Sequence, residues 1–458
     1  MPEFDWVIHG GSLVSGGGVR RADVAIADGL VAAVEPDLDP HRGRESYDAT
    51  AKLVFPGLID AHNHPYYQDD IETFSLSAAH GGLTTLIPFA GRPWGSHGHG
   101  ADVTQMVEEF ITDGSKRSYL DFGVHVILSG GDDIPEVLPE LLGRGITSYK
   151  VFMAFPRNRM LTDDRILDLM ERLATAGALC MVHCENGMAI EHLEQRFIRE
   201  GKVAPADYVR SRPPQLESEA VYRALALAEV AGCDCYIVHV SAAESMSVVE
   251  RFRERPGPRR LAETSPHYLI LDHHDQERIG GRAKISPPMR EPSDRDRLWD
   301  YLRRGVIDVV ASDCSGQTCL VKEQGEPNIF DVPFGIPGVE QLFPLIYDEG
   351  VNRRDLSLQT LARVFAENPA DYFGLGDRKG RLEPGKDGDL VVFDPSAAWT
   401  VSAADQLGNS DYSLYEGRSL TGKAVLTLQR GRAVLRDGEV VAPRGGGRFL
   451  EGRLEPRS

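Results

Sequence analysis

The chain has 458 residues, of which 41% are hydrophobic and 26% charged, a composition typical of globular proteins and a length that favours two domains. Its formal net charge of −19 argues against nucleic acid or an anionic membrane surface as a partner. The sequence shows neither a secretory leader nor an apolar run approaching the ~18 residues of a membrane span. Six cysteines in such a chain indicate reduced thiols and a cytoplasmic location.

Both ends of the chain contain short β-like runs separated by glycine-containing turns. They include "DWVIHGG" (5–11) and "DVAIADGLVAAV" (23–34) at one end and "GDLVVFDP" (388–395) and "KAVLTLQRGRAVL" (423–435) at the other. We predict that residues 1–54 and 386–458 pair into one small β-sandwich. The final "RGGGRFLEGRLEPRS" (444–458) has little core of its own, so we expect an extension that is mobile or packed on a neighbouring subunit.

The central region, residues 55–385, alternates between strand-like and helix-like segments. Helical spacing is clearest at 163–177 and 217–232. Eight segments are typical of buried strands: 57–64, 82–89, 119–128, 145–154, 178–184, 233–240, 260–269 and 307–315. Eight strands with intervening helices predict an α/β fold of the (β/α)₈ TIM-barrel type, whereas an open doubly wound sheet would ordinarily have fewer strands.

Ionisable residues recur where the predicted barrel strands end, which is the edge at which such barrels carry their active sites. His62 and His64 end the first strand and share a face, because successive strand side chains point to opposite sides. One residue of this kind is easily explained as a buried polar group, but six at matching positions predict a common site. The other four, on strands four, five, six and eight, are Lys150, His183, His239 and Asp313.

Lys150 is the exception in this set, since a protonated ammonium would repel a divalent cation. The conflict disappears if the neutral amine has reacted with carbon dioxide to give a carbamate, an anion whose two oxygens can bridge two metals. Neutral imidazole and carboxylate suit zinc. We therefore predict two Zn²⁺ ions, with Mn²⁺ or Co²⁺ as alternatives: one held by His62, His64, Asp313 and the carbamate, the other by His183, His239 and the carbamate. A hydroxide between the ions would be the nucleophile.

Several motifs together resemble the amidohydrolase superfamily, in particular its cyclic-amidohydrolase branch of dihydropyrimidinases, hydantoinases and allantoinases. They are "PGLIDAHNH" (56–64), "SYKVFMAF" (148–155), "VHCENG" (182–187), "ETSPHYLILD" (263–272), "KISPPMRE" (284–291) and "VVASDCSG" (309–316). The resemblance implies a binuclear zinc hydrolase that opens a cyclic amide, imide or ureide ring. It also implies that Asp313 takes a proton from the hydroxide and passes it to the leaving ring nitrogen, and that the chain forms a homotetramer or homodimer.

The chain departs from this branch at Phe155, where relatives typically carry a tyrosine that donates to the developing oxyanion. Losing such a donor ordinarily costs about 3 kcal/mol of transition-state stabilisation. We expect a replacement from a segment that reaches the mouth of the barrel: Tyr66, Tyr67, His97 or His99.

Two further departures concern Cys314, which follows Asp313 where relatives commonly have histidine, and "GIPGVEQ" (335–341), which replaces an Asn-Gly loop. We expect the cysteine to be a spectator. The branch contacts the ring partly through backbone groups, so Ser286 and Pro337 are predicted to contact substrate through their carbonyls, alongside Tyr66 and Phe155.

Other interpretations remain open at this point. A related metal hydrolase of a linear N-acyl or N-carbamoyl amide, or of a lactone, would have the same centre. A non-catalytic scaffold would have lost ligands that this chain retains, and a mononuclear deaminase would not need Lys150. Among the remaining residues, we expect Glu185 and Asn186 to orient a ligand. The sequence leaves open whether Arg290 is structural or contacts the substrate. His267 is a weak indication that the substrate is a polar ureide. Five other histidines are expected at the surface or behind the ligands: His80, His97, His99, His125 and His192.

Overall fold

The fold is described from a computed structural model that defines residues 2–91 and 102–454. Residues 4–56 consist mainly of short strands. These strands are β1 (Phe4–His9), β2 (Ser12–Ser15), β3 (Gly18–Arg21), β4 (Asp23–Ala27), β5 (Leu30–Glu35), β6 (Gly43–Asp48) and β7 (Leu53–Pro56).

The strands of the central region are short, parallel and buried on both faces, which is why they appear in the sequence as nearly continuous apolar runs. They are β8 (Leu58–Asn63), β9 (Leu83–Ala90), β10 (Asp121–Phe122), β11 (His125–Ile127), β12 (Ser148–Phe152), β13 (Leu179–His183), β14 (Cys235–Ile237), β15 (Arg260–Thr264) and β16 (Val309–Val310). β10 and β11 are two parts of the third barrel strand, since both pair with β9.

The barrel closes between its first and last strands. Just beyond β16, the Asp313 amide donates to the His62 carbonyl at 2.9 Å and the His64 amide donates to the Cys314 carbonyl at 2.9 Å. The predicted (β/α)₈ barrel is therefore confirmed. Several strands are shorter than predicted: residues 307–315 contain only β16, and residues 260–269 contain β15 only as far as Thr264, after which a short helix begins at Pro266.

Helices cover the outside of the barrel, and the two predicted at 163–177 and 217–232 are present as α4 and α7. The helices are α1 (Ile71–His80), α2 (Val103–Arg117), α3 (Ile134–Gly143), α4 (Asp163–Ala176), α5 (Gly187–Arg199), α6 (Pro205–Ser211), α7 (Pro214–Ala231), α8 (Ala243–Arg253), α9 (Pro266–Ile270), α10 (His273–Ile279), α11 (Pro292–Arg303), α12 (Cys319–Glu323), α13 (Leu342–Ile346), α14 (Asn352–Arg354), α15 (Leu358–Ala362) and α16 (Asn368–Tyr372). Within the two described stretches, none is both long and apolar enough to cross a bilayer.

The remaining strands return to the β-rich end of the molecule. They are β17 (Leu390–Thr400), β18 (Ser419–Gln429), β19 (Arg432–Arg436) and β20 (Glu439–Val440). These four join β7, β2 and β3 in a seven-stranded sheet, while β5, β4, β1 and β6 form a second sheet. Apolar side chains from both sheets share one core, with Trp6 and Ile26 from one sheet and Leu390 and Leu428 from the other. The predicted β-sandwich from both chain ends is present; the exact limits 1–54, 55–385 and 386–458 stay a prediction.

The C-terminal segment differs from the expectation. It packs on the barrel of its own chain, at the N-terminal ends of the strands. Phe122 donates its amide to the Arg448 carbonyl at 2.9 Å and accepts the Leu450 amide at 2.8 Å. Leu450 is buried among barrel residues. The prediction of a mobile or intermolecular extension is thus wrong for the part up to residue 454.

Candidate metal centre and active-site cavity

The ends of the barrel strands carry the six ionisable residues to the same mouth. His62 lies in β8, Lys150 in β12 and His183 in β13, while His239 and Asp313 follow β14 and β16 within three residues. His239 and Asp313 have left-handed backbone conformations, with φ of 38° and 47°. Such strained positions in non-glycine residues persist where the surrounding structure fixes them, and they cluster at functional sites.

His62, His64 and Asp313 form a compact group of donor atoms. Asp313 Oδ1 lies 3.2 Å from His62 Nε2 and 3.3 Å from His64 Nε2. Their ligand atoms all lie within 4.8 Å of one another, close enough to hold one metal ion. Lys150 Nζ is 3.2 Å from His62 Nε2, so the amine adjoins this group.

His183 and His239 lie beside that group. Their ring centroids are 4.5 Å apart, and the His239 ring is 5.4 Å from that of His62. His239 Nδ1 is buried and has no hydrogen-bond partner among the described residues. Because a buried imidazole nitrogen without a partner is costly, it suits a position that a ligand completes.

Each of three imidazoles is oriented by a neighbouring polar group. The Glu263 carboxylate lies 2.6 Å from His62 Nδ1 and accepts the His239 amide at 3.0 Å. Glu185 Oε2 lies 2.8 Å from His183 Nε2, and the Tyr66 hydroxyl lies 2.6 Å from His64 Nδ1. Glu263 was not identified from the sequence; the available signal was a carboxylate inside the buried strand "RLAET".

Burial determines the charge states in the site. It lowers the pKa of Lys150 to about 8 and that of His64 to about 4. Burial alone would raise the pKa of Asp313, but His62 and His64 outweigh it and hold that pKa well below its usual value. The site therefore favours an ionised aspartate and a lysine that readily becomes the neutral amine, which is the form that reacts with carbon dioxide.

A cavity of about 370 Å³ opens above these residues. Three of the four predicted substrate contacts line this cavity, namely Tyr66, Phe155 and Ser286. Pro337 is buried and is not among the described lining residues. Tyr67, one of the proposed replacements for the missing tyrosine hydroxyl, also lines the cavity, whereas His97 and His99 lie outside the described residues. Five polar residues that sequence reasoning missed also line the cavity: Arg159, Lys284, Ser315, Gln317 and Asp331.

Residues near the ligands divide into those that support them and those that do not. Cys314 is buried, and burial raises the pKa of its thiol. Its carbonyl accepts the His64 amide, and it does not line the described cavity, as expected of a spectator.

Asn186 does not orient a ligand, because it caps α5 by accepting the Ala189 amide at 3.1 Å. Arg290 is structural: it donates to Glu217 at 2.8 Å and to Ser241 at 2.9 Å.

The remaining histidines have different surroundings. His125 is fully buried, between the Ser148 hydroxyl and the Ala61 carbonyl, so it belongs to the barrel interior. His80 lies 2.8 Å from a Glu340 carboxylate oxygen, and His192 is exposed. His267 is buried, with Nε2 lacking a partner among the described residues.

The chain is similar to known proteins along nearly its whole length. The sequence model of the amidohydrolase family matches residues 134–415. A D-hydantoinase of Ralstonia pickettii is 37% identical over 98% of this chain and 99% of its own, and an L-hydantoinase of Paenarthrobacter aurescens is 32% identical over 98% of each. A solved dihydropyrimidinase structure from Brevibacillus agri superposes with a TM-score of 0.92 at 31% identity, over 99% of both chains.

Proposed function

Because this chain belongs to the amidohydrolase family and is a hydrolase of its cyclic-amide branch, we propose that it opens a cyclic amide, imide or ureide ring at a centre of two metal ions. The observation that carries this proposal is the convergence of His62, His64 and Asp313 on one point, beside Lys150 and below a cavity. Relatives named D-hydantoinase, L-hydantoinase and dihydropyrimidinase support ring opening as the reaction.

The side chains fit two divalent ions, of which zinc is our first choice and manganese or cobalt the alternatives. Imidazole and carboxylate are zinc ligands, and the buried unpartnered nitrogen of His239 suits a ligating position. A carbamate on Lys150 would add a bridging anion. It would also remove the need to bury an ammonium that has no ion-pairing carboxylate among the described residues.

When bound, two such ions supply a water nucleophile that is ionised at neutral pH and a Lewis acid for the scissile carbonyl. The protein supplies the proton relay. Asp313 is held ionised by two neighbouring imidazoles, so its carboxylate can take the proton of the attacking water and deliver it to the leaving ring nitrogen. Glu263, Glu185 and Tyr66 keep the imidazoles in place during this transfer.

Tyr66, Phe155 and Ser286 are the proposed substrate contacts within the cavity. The Ser286 hydroxyl already donates to Glu185 at 2.5 Å and accepts from Arg212 at 2.8 Å, which leaves its carbonyl as the group for the ring. The Tyr66 hydroxyl is occupied by His64, so the exposed Tyr67 is the better candidate for the donor that Phe155 cannot provide. A homotetramer or homodimer and a cytoplasmic location stay predictions from the sequence.

The test joins metal analysis to a substrate screen. Purified protein, supplied with zinc and bicarbonate, is analysed for bound metal and for a ¹³C-labelled lysine carbamate. It is then assayed on dihydrouracil, hydantoins, allantoin, dihydroorotate and cyclic imides. We expect about two metals per chain and opening of at least one ring. Lys150→Ala should lose more than about 100-fold in activity, because metal catalysis contributes several kcal/mol.

The matched control is Lys202→Ala, which changes an exposed lysine and should leave metal content and rate unchanged. Two metals without ring opening would redirect the proposal to linear N-acyl or N-carbamoyl amides and lactones. Protein that takes up no metal under these conditions would overturn it in favour of a non-catalytic scaffold.

A further inference from the structure

A second cavity lies between the barrel and the β-sandwich. It has a volume of about 400 Å³ and shares no described lining residue with the active-site cavity. The barrel side is formed by the end of α1, by α13 and by the segment 335–341 that precedes α13, and the sandwich side by β17, β18 and their connection. Its polar and aromatic lining includes His80, Glu340, Gln341, Trp399, Gln406 and Lys423. None of these six takes part in the proposed ring opening.

Two glutamine side chains of this cavity have buried atoms without a hydrogen-bond partner among the described residues. Gln341 lies in the segment where the chain departs from its relatives; it is 3% exposed, and its Oε1 is an unpartnered acceptor. Gln406 Nε2 is an unpartnered donor. Because an amide atom that is buried without a partner is costly, both positions suit groups that a ligand completes.

Neighbouring polar groups of the same cavity are satisfied within the chain. The Glu340 carboxylate accepts the Ser77 hydroxyl at 2.7 Å and lies 2.8 Å from His80 Nδ1. Trp399 Nε1 donates to the Gly422 carbonyl at 3.0 Å, so this residue offers the cavity the apolar surface of its indole and not its N–H. The two glutamines differ from these neighbours because their donor and acceptor are still unfilled.

We propose that this cavity binds a small molecule with a planar amide group, –CO–NH–. The N–H of the ligand donates to Gln341 Oε1 and its carbonyl accepts from Gln406 Nε2, so that one group satisfies both glutamines. A flat apolar part beside the amide packs on the Trp399 indole. The site goes beyond the ring-opening function and does not depend on it, because the two cavities have no described lining residue in common.

The experiment compares benzamide with acetophenone, which has nearly the same shape but a methyl group in place of the amide nitrogen. Binding of each compound to the purified full-length chain is measured by ligand-observed NMR titration. We expect the wild type to bind benzamide about 10-fold more tightly, the range of two neutral hydrogen bonds. Gln341→Met and Gln406→Met keep the side-chain length without the amide, and each should weaken benzamide binding about 3- to 10-fold while leaving acetophenone binding unchanged.

Gln105→Met is the matched control, since it changes an exposed glutamine of α2 that pairs with Glu109, and it should keep the full preference for benzamide. Equal binding of the two compounds by the wild type would overturn the proposal, and this comparison does not depend on any variant folding. Benzamide binding that is unchanged in folded Gln341→Met and Gln406→Met would overturn it as well. If neither compound binds and Gln341→Met lowers the unfolding midpoint, a trapped water fills the two glutamines and the proposal fails.

Discussion

Two lysines are buried in the same barrel, one at each end, and their surroundings are opposite. Lys379 lies at the N-terminal ends of the strands, where its Nζ contacts the carboxylates of Asp121 at 2.7 Å, Asp387 at 2.9 Å and Asp389 at 2.7 Å. Lys150 lies at the C-terminal ends. Its Nζ is 3.2 Å from His62 Nε2, with no carboxylate within ion-pairing distance among the described residues.

The difference appears in the charge each lysine can keep. Burial lowers the pKa of Lys379, but three carboxylates outweigh this and raise it above the ordinary value. Burial lowers the pKa of Lys150 to about 8, because the attraction of Asp313 and Glu263 is too weak to compensate. Lys379 is therefore part of the framework, whereas Lys150, which has no ion-pairing carboxylate among the described residues, is available for chemistry.

The largest effect on stability is expected from a substitution of Lys379. Lys379→Met would remove the cation that three buried carboxylates share. Arg430 and Arg378 would still lie beside Asp121 and Asp387, but Asp389 would be left without a cation among the described residues, so we expect a loss of about 3–5 kcal/mol in the free energy of unfolding. The measurement is the thermal or urea unfolding midpoint of the metal-free protein. Lys202→Met, at an exposed lysine that pairs with Glu200, should shift the midpoint little. If Lys379→Met unfolds at the wild-type midpoint, the buried cluster does not stabilise the framework.

The barrel was predictable from the sequence because its strands are buried on both faces and therefore form apolar runs. The convergence of the metal-binding residues was predictable because the C-terminal ends of parallel strands lie at the same end of the barrel. Glu263 was missed because nothing in local spacing reveals that a side chain of β15 reaches His62, a residue two hundred positions away. Lys379 was missed as well: Asp387 and Asp389 follow it closely in the sequence, but Asp121, which completes the cluster, lies 258 positions before it.

The C-terminal segment was misjudged for a different reason. It was taken for an extension with little core of its own, but its glycines allow close backbone approach to the barrel. A Cβ at Gly447 would collide with the Leu120 carbonyl oxygen, and one at Gly452 would lie 2.5 Å from the Thr147 side chain. Composition alone cannot distinguish a flexible glycine from one required by a close contact.

The next largest effect is expected at Glu263, which tests whether the mouth depends on its own buried carboxylate. Glu263→Gln keeps the shape but weakens the contacts to His62 Nδ1 and the His239 amide. We expect zinc affinity to fall about 10- to 100-fold, as for other residues that orient metal ligands. Chelator competition measures the affinity, and circular dichroism verifies the fold. Glu244→Gln, at an exposed glutamate of α8, is the control. Unchanged zinc affinity in Glu263→Gln would show that the imidazoles need no such support.

A third effect distinguishes the two lysines by how the free energy of unfolding depends on pH. In metal-free protein without bicarbonate, the pKa of Lys150 is about 8 when folded and about 10.4 when unfolded. Between these values the unfolded chain holds a proton that the folded chain has released, so the free energy of unfolding rises with pH. Lys150→Met removes this contribution. The Lys150→Met protein should be more stable than the wild type at pH 7, and the difference between their free energies of unfolding should narrow towards pH 10.

Lys379 has the opposite sign, because its folded pKa is raised. Its stabilising contribution to the free energy of unfolding is complete below about pH 10.4 and is lost only above that value. Lys379 therefore adds no pH dependence to this free energy between pH 8 and pH 10. Urea unfolding midpoints of the wild type and Lys150→Met across this range measure the difference. A gap between the two proteins that stays constant with pH would mean that Lys150 remains charged in the folded state, and the contrast between the two buried lysines would then be lost.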